Sequence, residues 1–491
     1  MQHILPILLK DGYKVGHVFQ YPKDTTLVYS NLTPRSSRTT EDKVVAFGFQ
    51  YFVLEYLKRR FDRYFFGTST NLALDRYKRR IDNYLGAGAI TYDHIADLHK
   101  LGYLPLHIKA LPEGTLTPLR VPMLTIYNTV PEFYWLTNAL ETVMSSILWG
   151  ACTSATTAFT YRKTFEEYAK LTGAPKEFVP WQGHDFSFRG LSSVETACIS
   201  GAAHLLSFTG TDTIPAIDFL EEYYYANAET ELLAGSVSAT EHSVMCMGEK
   251  ESERETFKRL LTEVYPSGIV SIVSDTWDLW NVLTDILPSL KDEIMQRDGK
   301  LVVRPDSGLP NLILCGNPDA ATEAERKGVV QLLWDTFGGT VNDKGYKQLD
   351  PHVGVIYGEC IQPDLQRKIL GRLSAQGFAS SNVVFGIGSF SYQYVTRDTY
   401  GFAVKSTYGE TKSRGGIPIF KDPATDGGGT KKSAYGLLRV RKDGNGELVL
   451  DENVSWEEEQ GGELQTIFSN GRIGRQQTLS DIRQRLEGYL P

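Results

Sequence analysis

The sequence predicts an α/β fold, an irregular β/α barrel flanked by a discontinuous α+β domain built from the two ends of the chain. Three observations carry this. From about residue 188, short apolar runs end in polar or glycine-bearing loops, each followed by a helical stretch, and six such units follow in series without a reversal. Serial units of that kind pair as a parallel sheet with crossover helices and favour a closed barrel. After Tyr400 the chain turns β-like and glycine-rich, with too few apolar residues for a core of its own, so it is expected to pack with the N-terminal segment. The expected divisions are 1–150, 151–399 for the barrel, and 400–491.

In chain order, residues 45–65 and 72–85 read as helices, and 104–126 as short strands broken by Pro112-Glu113-Gly114 and Pro122. Residues 133–149 and 157–171 read as two further helices. Ser192-x-x-Glu195 has the capping-box pattern and predicts a helix just after Arg189. The strand–loop units are Phe208 to Thr211-Asp212, 235–240 to Glu241-His242, 269–273 to Ser274-Asp275, and 301–303 to Arg304-Pro305-Asp306. Two more are 353–357 to Gly358-Glu359 and 383–385 to Gly386-Ile387-Gly388-Ser389. Lys442-Asp443-Gly444-Asn445-Gly446 is a hairpin turn. Asp426 to Gly429, with Lys431-Lys432, reads as a basic loop, and 479–486 as a terminal helix.

Composition narrows the function. The 491 residues carry 51 basic and 59 acidic side chains, a net charge of −8, which points away from nucleic acid as a partner. Five widely spaced cysteines without a C-x-x-C pair argue against a disulfide framework or zinc site and fit a reducing compartment. The apolar run at residues 4–9 is too short for a signal-peptide core, and no run of about 18 apolar residues could span a membrane. A cytoplasmic protein is expected.

The loops suggest anion chemistry. Arg189, Arg304 and Arg397, with backbone N–H groups of the Gly358 and Gly388 loops, could cradle a sugar phosphate or pyrophosphate. Singly, each arginine could equally serve a surface ion pair. Asp212, Asp275, Asp306 and Glu359 supply carboxylates for ribose hydroxyls, Mg²⁺ or a developing positive charge. Phe186 offers a face for an aromatic ring, or is simply core. His242, beside Glu241, is an acid/base or phosphate-acceptor candidate, or a hydrogen-bonded structural histidine.

Longer stretches sharpen this. Asp11-x-Tyr13-Lys14-Val15-x-His17, the block from His184 to Thr213, Glu241-His242-Ser243 and Ser271-x-x-Ser274-Asp275 are unusual. So are Arg304-Pro305-Asp306-Ser307-Gly308, Thr396-Arg397-Asp398 and Phe420-Lys421-Asp422-Pro423. Along nearly its whole length the chain resembles the nicotinamide phosphoribosyltransferase family of type II phosphoribosyltransferases. The resemblance implies transfer of a phosphoribosyl group from phosphoribosyl pyrophosphate to nicotinamide, in homodimers with shared active sites. It implies that Phe186 and Tyr13 of the other subunit sandwich the pyridine, and that Asp212 accepts from the carboxamide. Arg189 and Arg304 would hold phosphate or pyrophosphate, with Asp306 near the ribose, and Ser271 and Asp275 in the substrate site. Gly358, Glu359, Gly388, Ser389 and Arg397 would bind the ribose phosphate, with Arg35 and Lys405 reaching in from the partner. His242 would be phosphorylated by ATP, and Mg²⁺ would accompany pyrophosphate. Glu359 stands where the family resemblance leads one to expect an aspartate. A nicotinate phosphoribosyltransferase is the near alternative, disfavoured by the charge on Asp212, and a non-catalytic sugar-phosphate-binding barrel is the distant one.

Overall fold

The computed structural model describes residues 4–358, 360–421 and 433–491. Glu359, Asp422-Pro423 and the basic stretch 426–432 lie outside the described residues. The chain divides into two compact units, one of Met1–Thr156, Leu220–Ala226 and Val395–Tyr489, the other of Thr157–Phe219, Asn227–Tyr394 and Leu490–Pro491.

In the first unit, strands from both ends of the chain interleave in one antiparallel sheet. Its order is Gly415–Pro418, Ala403–Thr411, Thr25–Thr33, Leu124–Asn128, Leu106–Ala110, Gln465–Ser469 and Arg472–Ile473. Thr25–Thr33 is the hinge of this arrangement, pairing with Leu124–Asn128 on one side and Ala403–Thr411 on the other. Most of its residues are buried, and its β-branched and aromatic side chains suit a strand covered on both faces.

The second unit is a parallel barrel. Its strands are β1 (Gly183–Asp185), β2 (Gly210–Thr211), β3 (Ser238–Ala239), β4 (Ser267–Val273), β5 (Asp298–Arg304), β6 (Val353–Tyr357) and β7 (Val383–Ile387). Around the sheet they follow chain order, and β7 pairs with β1. The remaining junction, between β2 and the approach to β3, is bridged by Gly210 and Gly235. Every pair is parallel, as βαβ crossovers require. The core is filled by Val270, Ile272, Leu301, Val303, Val355, Val383, Phe385 and Ile387, all buried.

Three sequence expectations are corrected. The two helices expected over 133–149 and 157–171 are in the main one 32-residue helix, Glu141–Thr172. Helix α1 spans Val194–His204 and is capped by Ser193, whose hydroxyl accepts from the Thr196 N–H at 3.1 Å, and not by Ser192. The Ser192 N–H instead donates to Gln393, 2.9 Å away. The polar cluster His184-Asp185 is strand β1, so the barrel has seven strand units, not six. No helix among the described residues is long and apolar enough to cross a membrane.

Candidate active site

In the barrel, most of the expected functional residues sit at or just beyond the carboxyl ends of the strands, where the backbone leaves the ladder; Ser271 lies within β4. Beyond β1, Phe186 is half-buried, its ring tilted against His184 with centroids 4.7 Å apart. Its edge rests over Gly386, where an added Cβ would lie 2.5 Å from the ring. Only glycine on β7 leaves the ring that seat.

Asp212 follows β2. Its Oδ1 accepts from His184 Nε2 at 2.9 Å and from Ser236 Oγ at 2.7 Å. A carboxylate only accepts, so His184 carries its proton on Nε2. Oδ2 is engaged by no hydrogen bond among the described residues, and the side chain is 50% exposed. Burial pushes the Asp212 carboxyl up, but His184, Ser236 and the Arg304 charge outweigh it and hold the group below its usual range. Asp212 is therefore a carboxylate with one oxygen fixed and one available.

A second group gathers beyond β4 and β5. Asp275 Oδ2 accepts from the Asp306 N–H at 2.8 Å and from Ser307 Oγ at 2.6 Å, while its Oδ1 is buried without a partner among the described residues. Arg304 donates from Nη2 to the Thr240 carbonyl, and its Nε is buried without a partner among the described residues. Burial lowers the Arg304 pKa; Asp306, Asp212 and Asp275 act to raise it and Arg189 to lower it, so these five charges share one electrostatic neighbourhood. Asp306 Oδ1 lies against Gly358, whose missing Cβ makes room for it. His242 opens helix α2 (His242–Met247), with Nδ1 3.1 Å from Thr276 Oγ1 and Nε2 3.8 Å from Asp306 Oδ2. Ser271 is buried on β4, its Oγ without a partner among the described residues.

Beyond β7, a Cβ on Gly388 would meet nothing within 4 Å, so the backbone there faces open space. Ser389 opens helix α3 (Ser389–Tyr392) and packs its hydroxyl onto Gly190, beside exposed Arg189.

The other expected residues belong to the first unit. Tyr13 is 65% exposed, with the Lys14 ammonium 5.1 Å from its ring centroid. Arg35 and Lys405 line one cavity of ≈ 260 Å³. Burial lowers the Lys405 pKa, Glu141 opposes it, and Arg35, Lys421 and Arg397 lower it further. Arg397 is thus among the charges acting on Lys405 in the first unit, and Arg189 among those acting on Arg304 in the second. Sequence reasoning missed Arg120, which lines the same cavity with a left-handed backbone at φ 69°. It also gave no role to His184 and Ser236; their position at strand ends was the available signal.

A parallel barrel in chain order, with carboxylates, guanidinium groups and glycine loops at its carboxyl mouth, defines a sugar-phosphate-handling α/β barrel. Residues 181–471 match the nicotinate phosphoribosyltransferase (NAPRTase) family, and residues 6–108 match the N-terminal domain of nicotinamide phosphoribosyltransferase. The chain is 51% identical over 500 residues to nicotinamide phosphoribosyltransferase of Acinetobacter baylyi, covering 99% of this chain and 98% of that one. It is 36% identical to the Mycoplasma pneumoniae protein of the same name, over 88% and 95% of the two chains. The fold is like that of nicotinate-nucleotide pyrophosphorylase from Pyrococcus furiosus, with TM-score 0.58, 14% identity and coverage of 98% and 93%. It is also like human nicotinic acid phosphoribosyltransferase, with TM-score 0.53, 16% identity and the same coverage. The chain belongs to the nicotinamide phosphoribosyltransferase family.

Proposed function

We infer that this protein transfers the phosphoribosyl group of 5-phosphoribosyl 1-pyrophosphate to nicotinamide, releasing nicotinamide mononucleotide and pyrophosphate. Family membership carries the reaction, and the open Oδ2 of Asp212 is the observation that favours the amide over the acid. N1 of the pyridine attacks the anomeric carbon with its own lone pair as the bond to pyrophosphate breaks, so no base is needed. The enzyme's task is to position the ring and to stabilise charge as it separates. Phe186 supplies one stacking face, and Asp212 Oδ2 accepts from the carboxamide NH₂.

Arg189 and Arg304 neutralise the departing pyrophosphate; the buried, unpartnered Arg304 Nε fits a phosphate oxygen. Asp306 stabilises the positive charge that develops on the ribose. The Gly388–Ser389 loop takes the ribose phosphate on its backbone, with Gly358 beside it; Glu359 and Ser271 complete the expected set. Mg²⁺ is commonly held by one or two carboxylates with substrate phosphates completing its shell. Asp306 and the unpartnered Oδ1 of Asp275 fit that requirement, and such an ion, when bound, adds charge neutralisation at the pyrophosphate.

His242 is the proposed acceptor for the γ-phosphoryl group of ATP. A proton on Nδ1, beside Thr276, leaves the Nε2 lone pair to form the N–P bond as the bond to ADP breaks; water later releases phosphate. The working form is a homodimer in which Tyr13, Arg35 and Lys405 serve the partner's site, while Arg397 binds the ribose phosphate. The five free cysteines support a reducing, cytoplasmic setting. Incubation with phosphoribosyl pyrophosphate and nicotinamide should yield equimolar mononucleotide and pyrophosphate, and ATP should accelerate it. Absence of mononucleotide would overturn the reaction; undiminished ATP stimulation in His242→Ala would overturn only the phosphohistidine.

A further inference from the structure

Helix α1 ends on His204, a fully buried imidazole that the reaction above does not use. Its Nε2 lies 3.0 Å from the Gly210 carbonyl on β2, two residues before Asp212. Its Nδ1 lies 2.7 Å from the hydroxyl of Tyr392, the last residue of α3, itself 3% exposed. A carbonyl only accepts, so Nε2 bears the proton and Nδ1 accepts from Tyr392. The direction of both bonds is thereby fixed. Stacking on Phe208, with centroids 5.0 Å apart and planes 24° from parallel, holds the ring in place.

Helix α3 has other anchors on the barrel. Ser391 Oγ is 2.7 Å from Tyr161 OH, and the Gln393 side chain accepts from the Ser192 N–H. Those bonds tie α3 to its surroundings, but among the described residues only His204 ties it by hydrogen bonds to β2, the strand that leads into Asp212. We propose that His204, acting through Tyr392, is a positioning residue that sets the Gly388–Ser389 loop at a fixed distance from Asp212. The spacing between amide recognition and ribose-phosphate binding then depends on one imidazole. Burial supports the assignment, since it pulls the His204 pKa down to about 4, with Asp185 opposing, and keeps the ring neutral near pH 7. A protonated ring would lose the Nδ1 acceptor and break the link.

The proposal rests on reading the Gly388–Ser389 loop as the ribose-phosphate site, and the experiment separates the two. Steady-state constants for both substrates are measured in Tyr392→Phe, His204→Gln, their double variant and Gly388→Asp, together with melting temperatures. Gly388→Asp places a charge in open space at φ −92°, where a side chain fits, and should raise KM for phosphoribosyl pyrophosphate irrespective of His204. Tyr392→Phe and His204→Gln should each raise that KM about fivefold or more, with the nicotinamide KM within about twofold of the parent. The double variant should be no worse than the poorer single, because both remove one link. An unchanged KM in Gly388→Asp overturns the loop reading. A raised KM there, with unchanged KM in both single variants, overturns the positioning role. So do losses that multiply in the double variant, or that follow melting temperature alone.

Discussion

Replacing Asp212 with asparagine isolates the charge that selects the substrate. Ser236 and His184 both donate to Oδ1, so the asparagine carbonyl takes that place and its NH₂ group faces the pyridine from the Oδ2 position. In the parent, a nicotinate carboxylate would meet an ionised Oδ2 at hydrogen-bonding range. Two unit charges about 4 Å apart interact by roughly 4 kcal/mol at an effective dielectric constant near 20. The Asp212 side chain is 50% exposed, and solvent and salt reduce that figure to roughly 1–3 kcal/mol. Asp212→Asn should therefore shift the ratio of kcat/KM for nicotinamide over nicotinate about 10- to 100-fold toward nicotinate. Part of the shift should come from poorer nicotinamide binding, since a donor then faces a donor. The assay is initial rates with each base at saturating phosphoribosyl pyrophosphate and fixed ionic strength. A ratio within about twofold of the parent would refute the selectivity argument.

Gly386→Ala puts a methyl group against the Phe186 ring and should raise the nicotinamide KM by roughly five- to tenfold through a displaced stacking face; overpacking of this kind costs about 1–3 kcal/mol. An unchanged nicotinamide KM would make Phe186 ordinary packing. Burial pulls the folded His204 pKa down to about 4 from the ordinary histidine value of 6.5, so the unfolded chain binds a proton across that window that the folded chain refuses. Stability should fall as pH drops from 6.5 toward 4, by on the order of 3 kcal/mol from this group, and His204→Gln should flatten the slope of melting temperature against pH. Identical slopes would contradict the burial argument. Mixing inactive Tyr13→Ala and Arg304→Ala subunits should restore part of the activity in verified mixed dimers, and no recovery would count against a shared site.

Legibility in the sequence tracked apolar content. Strands β4 to β7 carry runs such as Ile269 to Val273 and Val383 to Ile387, and periodicity finds them. Strand β1 has no such run: Gly183, His184 and Asp185 are buried because they are hydrogen-bonded, so the strand reads as a loop. The helix Glu141–Thr172 reads as two because the small and β-branched residues 150–157 interrupt its stripe while suiting close burial. The cap moved from Ser192 to Ser193 because two adjacent serines offer the same chemistry and only backbone geometry chooses. The carboxylates and arginines at strand ends were visible from residue type and position. Their partnerships were not: His184 and Ser236 reach Asp212 across 28 and 24 residues, and Arg35 and Arg397 act on the charge of Lys405. Such pairings are set by how strands close into a barrel or sheet, which local sequence does not encode.

The central claim, that this barrel makes nicotinamide mononucleotide and selects the amide through Asp212, is tested most directly by competition. The purified protein is given phosphoribosyl pyrophosphate, Mg²⁺ and ATP with equal concentrations of nicotinamide and nicotinate, and the two mononucleotides are quantified from the same reaction. Nicotinamide mononucleotide should predominate by at least about tenfold, the ratio that roughly 1.4 kcal/mol of discrimination gives. An excess of nicotinate mononucleotide would contradict the account.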